Sequence, residues 1–333
     1  MHPRGSKRRV ISCLAAAALF AAGVSPATAA DVETQRDLFK RVYETVERGD
    51  WSPVEDLSAS ERELLEKYVL WPDLRATWLR ANLKTASHPD IESFLARYGT
   101  LQPARELRYR YALHLARGGD LDGFRAIYEQ FYQGRGIARL DCLALQAEID
   151  AGRHNRVPGR AIDLWLIGTS QVEECDLVFD YLADNNLLGA VEYRKRFELA
   201  IEAREFRLAR WLGKSIDQAH IDTATTWLQA QSHPERFLAR HNPASSSETY
   251  HQQLVYAAER LTYSDPVIAN QLWGKLEQRY GFSEEQKLRT RRHIALWMAR
   301  DNLPDGYRLL SALPTAAQDD EVLRWRARTS LRD

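Results

Sequence analysis

Apolar residues recur along most of the chain at the spacing of an amphipathic helix. Beyond residue 30 they return every three or four positions, and stretches in which apolar and polar residues alternate are scarce. Such spacing places one apolar stripe on each helix, whereas a half-buried strand alternates strictly. The pattern therefore predicts an all-α protein. Three clear stripes are Ala104, Leu107, Tyr111 and Leu115; Ala190, Tyr193, Phe197, Ala200 and Ile201; and Ile294, Trp297 and Met298.

Prolines and glycines mark short breaks between these helices. Pro89, Pro234 and Pro266 each follow a serine by two positions, an arrangement that is typical of helix starts. Gly119 and Gly152 lie at turn signals. Short connections imply antiparallel hairpins, and the irregular spacing differs from a regular tetratricopeptide array. We expect a superhelical solenoid of antiparallel helical hairpins with degenerate repeats, and the alternative is a compact all-helical bundle.

The first thirty residues differ from the rest of the chain. The first nine contain four basic residues and no acid, an apolar run follows at 13–24, and an Ala-x-Ala pattern ends the segment near residue 30. This order is typical of a secretory signal peptide, and the run is too short to span a bilayer. The alternative is an amphipathic N-terminal helix. We expect a signal peptide at 1–30, one helical domain at 31–333, no membrane span, and a bacterial periplasmic location.

Composition and charge exclude several classes of protein. Lys and Arg number 46, Asp and Glu also number 46, and 44% of the residues are hydrophobic. These values are those of an ordinary globular protein, and they exclude a disordered chain, a collagen and a polytopic membrane protein. Because no basic excess is available to neutralise phosphates, we expect no nucleic-acid partner.

No motif for metal, nucleotide or acyl-transfer chemistry occurs in the sequence. The nine histidines never lie at metal-ligand spacing on one helix face, and the cysteines never form Cys-x-x-Cys. A phosphate-binding loop and a Gly-x-Ser-x-Gly elbow are also absent. We therefore assign no catalytic residue, no metal ligand and no cofactor from the residues themselves.

Two cysteines follow the leader, Cys142 and Cys175. An even number of cysteines in an oxidising compartment predicts one disulfide between them. The alternative is a pair of buried thiols.

Two sets of side chains are weaker candidates for binding. Tryptophans could stack on sugar rings, although aromatic residues at helical spacing usually fill cores. Arginines could line a groove for an anionic polymer, although a solvated helix face is the more common outcome. The candidate tryptophans are Trp71, Trp78, Trp165, Trp211, Trp227, Trp273, Trp297 and Trp325, and the candidate arginines are Arg75, Arg80, Arg105, Arg108 and Arg110.

Four segments carry helix-packing motifs in a distinctive order. They are residues 68–75 (Tyr-Val-Leu-Trp-Pro-Asp-Leu-Arg), 94–100 (Phe-Leu-Ala-Arg-Tyr-Gly-Thr), 164–170 (Leu-Trp-Leu-Ile-Gly-Thr-Ser, then Cys175-Asp176), and 282–286 with 325–328. Together they resemble the N-terminal superhelical domain of soluble lytic murein transglycosylases, with departures at Val69 and Asp73. The resemblance runs from about Tyr68 to Asp333, and the position of the cysteine pair adds to it.

The resemblance implies a ring of helical hairpins in the periplasm, on which a lysozyme-like domain sits. In that domain one glutamate acts as general acid and then base, and it cleaves the MurNAc–GlcNAc bond of peptidoglycan to a 1,6-anhydro product. The family's Glu-Ser followed by Gly-Leu-Met-Gln is missing here, and Glu92-Ser93 repeats only the dipeptide. The resemblance thus implies the superhelical domain without its catalytic domain, and we expect that domain to continue past Asp333.

The predicted partners are peptidoglycan glycan strands and a catalytic domain that the helices would seat. Enzyme activity of the chain itself stays undecided at this point. One alternative is a periplasmic helical-repeat scaffold that binds another protein. A further alternative is a complete enzyme with an unrecognised site, against which the missing catalytic constellation counts.

Overall fold

A computed structural model describes residues 29–331, which form nineteen α-helices, short 3₁₀ turns and no strand. The all-α prediction is confirmed. The predicted signal peptide lies outside the described residues apart from its last two positions. The helices are α1 (Ala29–Glu47), α2 (Ser52–Glu55), α3 (Ala59–Glu66), α4 (Trp71–Ala81), α5 (His88–Tyr98), α6 (Gln102–Gly118), α7 (Leu121–Phe131), α8 (Ala138–Asp150), α9 (Pro158–Trp165), α10 (Asp176–Asp184), α11 (Ala190–Glu202), α12 (Phe206–Gly213), α13 (Gln218–Ser232), α14 (Pro234–Ala239), α15 (Glu248–Thr262), α16 (Pro266–Arg279), α17 (Glu284–Arg300), α18 (Gly306–Ser311) and α19 (Asp320–Ser330).

Helices begin where the Ser-x-Pro segments predict, but the capping residue varies. Ser87 caps α5 by accepting a hydrogen bond from the Asp90 backbone N–H at 3.2 Å. At α16 the cap is Asp265, which accepts from the backbone N–H of Ile268 at 2.8 Å. At α14 the preceding His233 makes no side-chain cap. Proline in the first turn therefore marks each helix start. The first backbone N–H groups of a helix have no acceptor within the helix, so proline, which lacks an N–H, loses no hydrogen bond there.

The described helices form two units that divide between Ile127 and Tyr128, inside α7. In the described part of the first unit, α1 contacts α2, α3 and α4, and α4 also contacts α5 and α6. A core between α1, α3 and α4 buries apolar side chains away from water, which is the main stabilising term of such a unit. Its buried members are Leu38, Val42, Val46, Val54, Leu57, Leu65 and Leu74.

In the second unit each helix mainly contacts the helices that lie one and two places from it in chain order. For example, α15 contacts α13, α14, α16 and α17, and α17 contacts α18 and α19. This order of contacts is typical of stacked helical hairpins, in which each repeat touches only its neighbours. The superhelical solenoid itself stays a prediction.

Cys142 and Cys175 are joined by a disulfide, as the sequence predicts. Their Cα atoms are 5.0 Å apart, and the bond links α8 to the short turn that precedes α10. Both cysteines are fully buried in the core that also contains Trp165 and Phe197. The disulfide therefore ties α8 covalently to the turn before α10 within this core.

Close packing around the turn after α9 accounts for residues of the segment 164–170. A Cβ atom at Gly168 would overlap the carbonyl oxygen of Leu199 and would lie 2.9 Å from the Cβ of Ala203, both at the end of α11. Beside it, the buried Arg196 places its guanidinium 3.8 Å from the centroid of Trp165 and donates to the Thr169 carbonyl at 3.4 Å. Burial lowers the Arg196 pKa to about 10. The segment is thus held by close backbone packing and a cation–π contact.

Candidate functional site

A groove with charged walls lies between α15 and α17 in the second unit. It has a main chamber of about 580 Å³ and an adjoining chamber of about 210 Å³. Arg204, Tyr256 and Arg289 line both chambers, so the two adjoin. We call this feature the charged groove; its other lining side chains include Glu259, Arg260, Tyr263, Glu285, Arg292, His293 and Asp319 in the main chamber, and Glu202, Phe206, Trp227 and Gln252 in the smaller one.

One wall of the charged groove is a single face of α15. Tyr256, Glu259, Arg260 and Tyr263 follow the spacing i, i+3, i+4 and i+7, which brings side chains to the same side of a helix. The opposite side of α15 is apolar and is buried in the core around Trp273. Burial of one face therefore orients the polar face of α15 into the groove.

The other wall belongs to α17 and is tied down by ion pairs. Arg289 donates from Nε and Nη2 to the two carboxylate oxygens of Glu259, at 2.6 and 2.8 Å. The hydrogen bond to Glu259 raises the pKa of Arg289. Arg292 donates to Asp319 at 2.6 Å and to Glu321 at 2.9 Å, which joins α17 to the start of α19. Bidentate arginine–carboxylate pairs fix orientation as well as charge, so these contacts hold the groove's width.

Two arginines of the charged groove make no ion pair with any residue in 29–331. Arg204 lies in the turn between α11 and α12, and its guanidinium is 5.3 Å from the centroid of the Tyr256 ring. Arg260 is exposed on α15, one turn after Tyr256. Two carboxylates of the lining, Glu202 and Glu285, likewise make no ion pair with residues 29–331, so the charges of the groove are balanced.

His293 closes one side of the groove with aromatic neighbours. Its ring is 5.2 Å from that of Tyr263, and Tyr263 is 5.0 Å from Trp297 in an edge-on arrangement. Burial lowers the pKa of His293 below its usual value, so the imidazole is neutral near pH 7. Tyr263 is 53% exposed and presents an aromatic surface to solvent. The groove thus combines guanidinium groups, carboxylates and aromatic rings.

A second opening lies at the other end of α15 and differs in chemistry. This polar cleft, of about 750 Å³, is formed by α13, α14 and the start of α15. Hydroxyl and amide side chains dominate its lining, and Arg236 and Arg240 lie at exposed positions in it. Its lining includes Asp222, Thr223, Thr226, Gln229, His233, Phe237, Asn242, Ser245, Ser247, Thr249, Tyr250 and Gln253.

The tryptophans that the sequence offers as sugar-stacking candidates are mostly packed inside. Trp165, Trp227 and Trp273 are buried, which confirms the core interpretation for them. Trp227 also borders the smaller chamber of the charged groove. Trp211 differs because it is 50% exposed. Four others are partly buried, namely Trp71, Trp78, Trp297 and Trp325.

The arginines proposed from sequence as a groove are largely engaged elsewhere, in the first unit. Arg75 stacks on Trp78 with 4.6 Å to the ring centroid, and burial lowers its pKa. Arg80 pairs with Glu106. Arg108 is buried and donates to the Gly99 carbonyl at 3.0 Å, so the expectation of a solvated face is wrong for it. Sequence reasoning missed the charged groove because its side chains come from separate helices.

Other candidate features can be placed as well. Arg105 and Arg110 are exposed on α6, and the dipeptide Glu92-Ser93 is exposed on α5. Among residues 29–331, no three His, Cys, Asp or Glu side chains come together as metal ligands. Over the same range, none of the helices has the length and apolar character that crossing a bilayer requires.

Comparison with curated proteins gives relatives of one kind. The soluble lytic murein transglycosylase of Escherichia coli K12 is 23% identical over 290 residues, covering 85% of this chain and 44% of the relative. That of Salmonella typhimurium is 24% identical over 276 residues, covering 83% and 42%. The chain therefore spans less than half the length of the curated relatives it matches. No protein-family model matches the chain.

Solved structures agree with the sequence comparison. An inactive mutant of lytic transglycosylase Slt from Pseudomonas aeruginosa matches with a TM-score of 0.56 and 26% identity, covering 89% of this chain and 47% of that one. The 70 kDa soluble lytic transglycosylase of Escherichia coli matches with a TM-score of 0.56 and 21% identity, covering 91% and 45%. In both sequence and fold, the chain is a homologue of part of the soluble lytic murein transglycosylases.

Proposed function

We propose that this chain is the superhelical portion of a periplasmic soluble lytic transglycosylase. Its role would be to hold peptidoglycan strands, or to seat the domain that cleaves the MurNAc–GlcNAc bond to a 1,6-anhydro product. The observation that carries the proposal is the match to lytic transglycosylases over 85% of the chain. The shared helical fold supports it.

The carboxyl groups with a shifted pKa do not suit bond cleavage by acid catalysis. A general acid for glycoside cleavage needs a raised pKa, so that it still holds its proton near neutral pH. Among residues 29–331, the carboxyl groups with a resolved shift all have a lowered pKa, and one of them, Glu61, falls to about 2 beside Arg41. In the charged groove, Glu259 and Asp319 are already committed to arginines. None of these groups therefore suits the part of a general acid.

Incubation of the purified protein with murein sacculi tests the proposal. We expect the protein to sediment with the sacculi and to release no 1,6-anhydromuropeptides into the supernatant. Insoluble cellulose, which lacks both amino sugars and peptides, is the control matrix and should leave the protein in solution. Failure to sediment with sacculi, or release of product that a point substitution in this chain abolishes, would contradict the proposal.

A further inference from the structure

Three cations and an exposed tryptophan share one side of α12. Their spacing is i, i+3, i+4 and i+7, which brings side chains to the same face of a helix. Lys214, which directly follows α12, keeps helical backbone angles and therefore continues this face. The opposite side of α12 is apolar and buried, so the charged side is directed away from the core. We call this surface the basic face of α12; its members, all exposed, are Arg207, Arg210, Trp211 and Lys214.

The basic face of α12 carries positive charge that its own helix does not neutralise. None of its three cations makes an ion pair with a residue in 29–331. Residues 206–216 contain no aspartate and no glutamate. Glu205 precedes Arg207 by two positions and lies at another angle around the helix, because successive residues are rotated by about 100°.

The helices that pack most closely on α12, α11 and α13, do not supply the missing carboxylates. Of the carboxylates on these helices and at their first turns, three accept hydrogen bonds from their own helix or its cap, and Glu202 lines the charged groove. The remaining one, Glu198, has Arg194 and Lys195 about one turn before it on α11. Charges on the neighbouring helices therefore leave the basic face unneutralised. The three hydrogen-bonded carboxylates are Glu192, Asp217 and Asp222.

Trp211 is held in place although half of its surface is exposed. It is 50% exposed, and its ring centroid lies 6.2 Å from that of Trp165 in an edge-on arrangement. Trp165 is itself fixed, because the buried guanidinium of Arg196 lies 3.8 Å from its centroid. Asp163 lies two positions before Trp165 and hence on another side of α9. A fixed aromatic ring loses little conformational freedom on binding, and tryptophan and arginine are enriched at the energetic centres of protein interfaces.

We propose that the basic face of α12 binds an acidic segment of a partner protein, whose carboxylates meet the three cations and whose apolar side chain meets Trp211. Carboxylates compensate for the desolvation of the cations, whereas an uncharged partner would bury these charges unpaired. A lipid surface fits less well, because a helix in a bilayer interface inserts its apolar side, and that side of α12 is buried in the core. The inference does not use the function proposed above and adds a protein partner to it.

Binding of short labelled peptides, followed by fluorescence anisotropy at low salt, tests this assignment. The acidic probe repeats Glu-Glu-Leu, and a companion probe has glutamine in place of every glutamate. We expect wild type to bind the acidic probe and not the companion. The Arg207→Gln/Arg210→Gln/Lys214→Gln variant should bind the acidic probe at least about tenfold more weakly, because the charge pairs at the face are lost.

A matched variant separates the basic face from the net charge of the protein. Arg105→Gln/Arg110→Gln/Arg236→Gln removes the same charge from exposed arginines elsewhere and should leave the affinity within about twofold of wild type, because salt screens distant charges. A second test concerns the aromatic ring. Trp211→Ala should weaken binding of the Glu-Glu-Leu probe but not of a Glu-Glu-Ser probe, since only leucine offers an apolar contact to lose. Equal losses for both probes would contradict the role of Trp211.

Four outcomes would overturn the inference. They are no binding of the acidic probe to wild type, an equal loss of affinity in the matched variant, binding of a single-stranded thymidine oligonucleotide as tight as that of the acidic probe, and binding through this face to phosphatidylglycerol vesicles without binding of the peptide. The sacculus experiment is independent of these measurements. Failure to sediment with sacculi removes the proposed function and leaves this inference standing, whereas failure of the peptide to bind removes only this inference.

Discussion

Replacing both Cys142 and Cys175 with serine is expected to lower the free energy of unfolding by about 2–5 kcal/mol. The two cysteines are separated by 33 residues in sequence, and both are fully buried. Closing a loop of that length restricts the unfolded chain by roughly 3.7 kcal/mol in the chain-entropy treatment, and two buried hydroxyl groups add to the cost. Denaturant-induced unfolding of wild type and variant measures the difference.

Two controls accompany the cysteine replacement. The alanine pair, Cys142→Ala/Cys175→Ala, removes the bond without burying hydroxyl groups and should recover part of the stability. A reducing agent should destabilise wild type and leave both variants unchanged. Unfolding of wild type and both variants at the same denaturant concentration would show that the bond contributes nothing to stability.

Gly168→Ala is expected to cost about 1–3 kcal/mol of stability. The added methyl group would overlap the Leu199 carbonyl oxygen, which already accepts a hydrogen bond from the Ala203 backbone N–H at 2.9 Å inside the last turn of α11. Because that oxygen belongs to helix backbone, it cannot move aside without breaking the helix end. Thermal unfolding gives the measurement.

Gly159→Ala is the matched control for Gly168→Ala. Gly159 lies in the first turn of α9, and nothing approaches within 4 Å of the position that its Cβ would occupy. Alanine has the higher helix propensity, so this change should be neutral or should stabilise by up to about 1 kcal/mol. Equal effects of the two substitutions would refute the close approach at Gly168.

The helices and the disulfide were predictable because local signals determine them. Helix period and proline position mark α5, α14 and α16, and the count of cysteines after the predicted signal peptide predicts the pair. Helical spacing also indicates that Arg108 is buried, although we expected it on a solvated face. Arg108 follows Ala104 by four positions and precedes Tyr111 by three, so it lies on the buried face of α6.

The charged groove could not be predicted in the same way. Its Tyr256 and Arg260 are neighbours on one helix, a relation that sequence spacing shows. Arg204 and Arg289 lie tens of positions away along the chain, and only the packing of α15 against α17 and the turn after α11 brings them to Tyr256. The left-handed conformation of Arg204 has no signal in the sequence, because arginine does not ordinarily mark such turns.

Hydrogen exchange in the presence and absence of purified peptidoglycan strands tests most directly whether this chain contacts the polymer. We predict slower amide exchange in at least one segment of residues 29–331 when strands are added. Exchange that is the same with and without strands in every segment of the chain would contradict it.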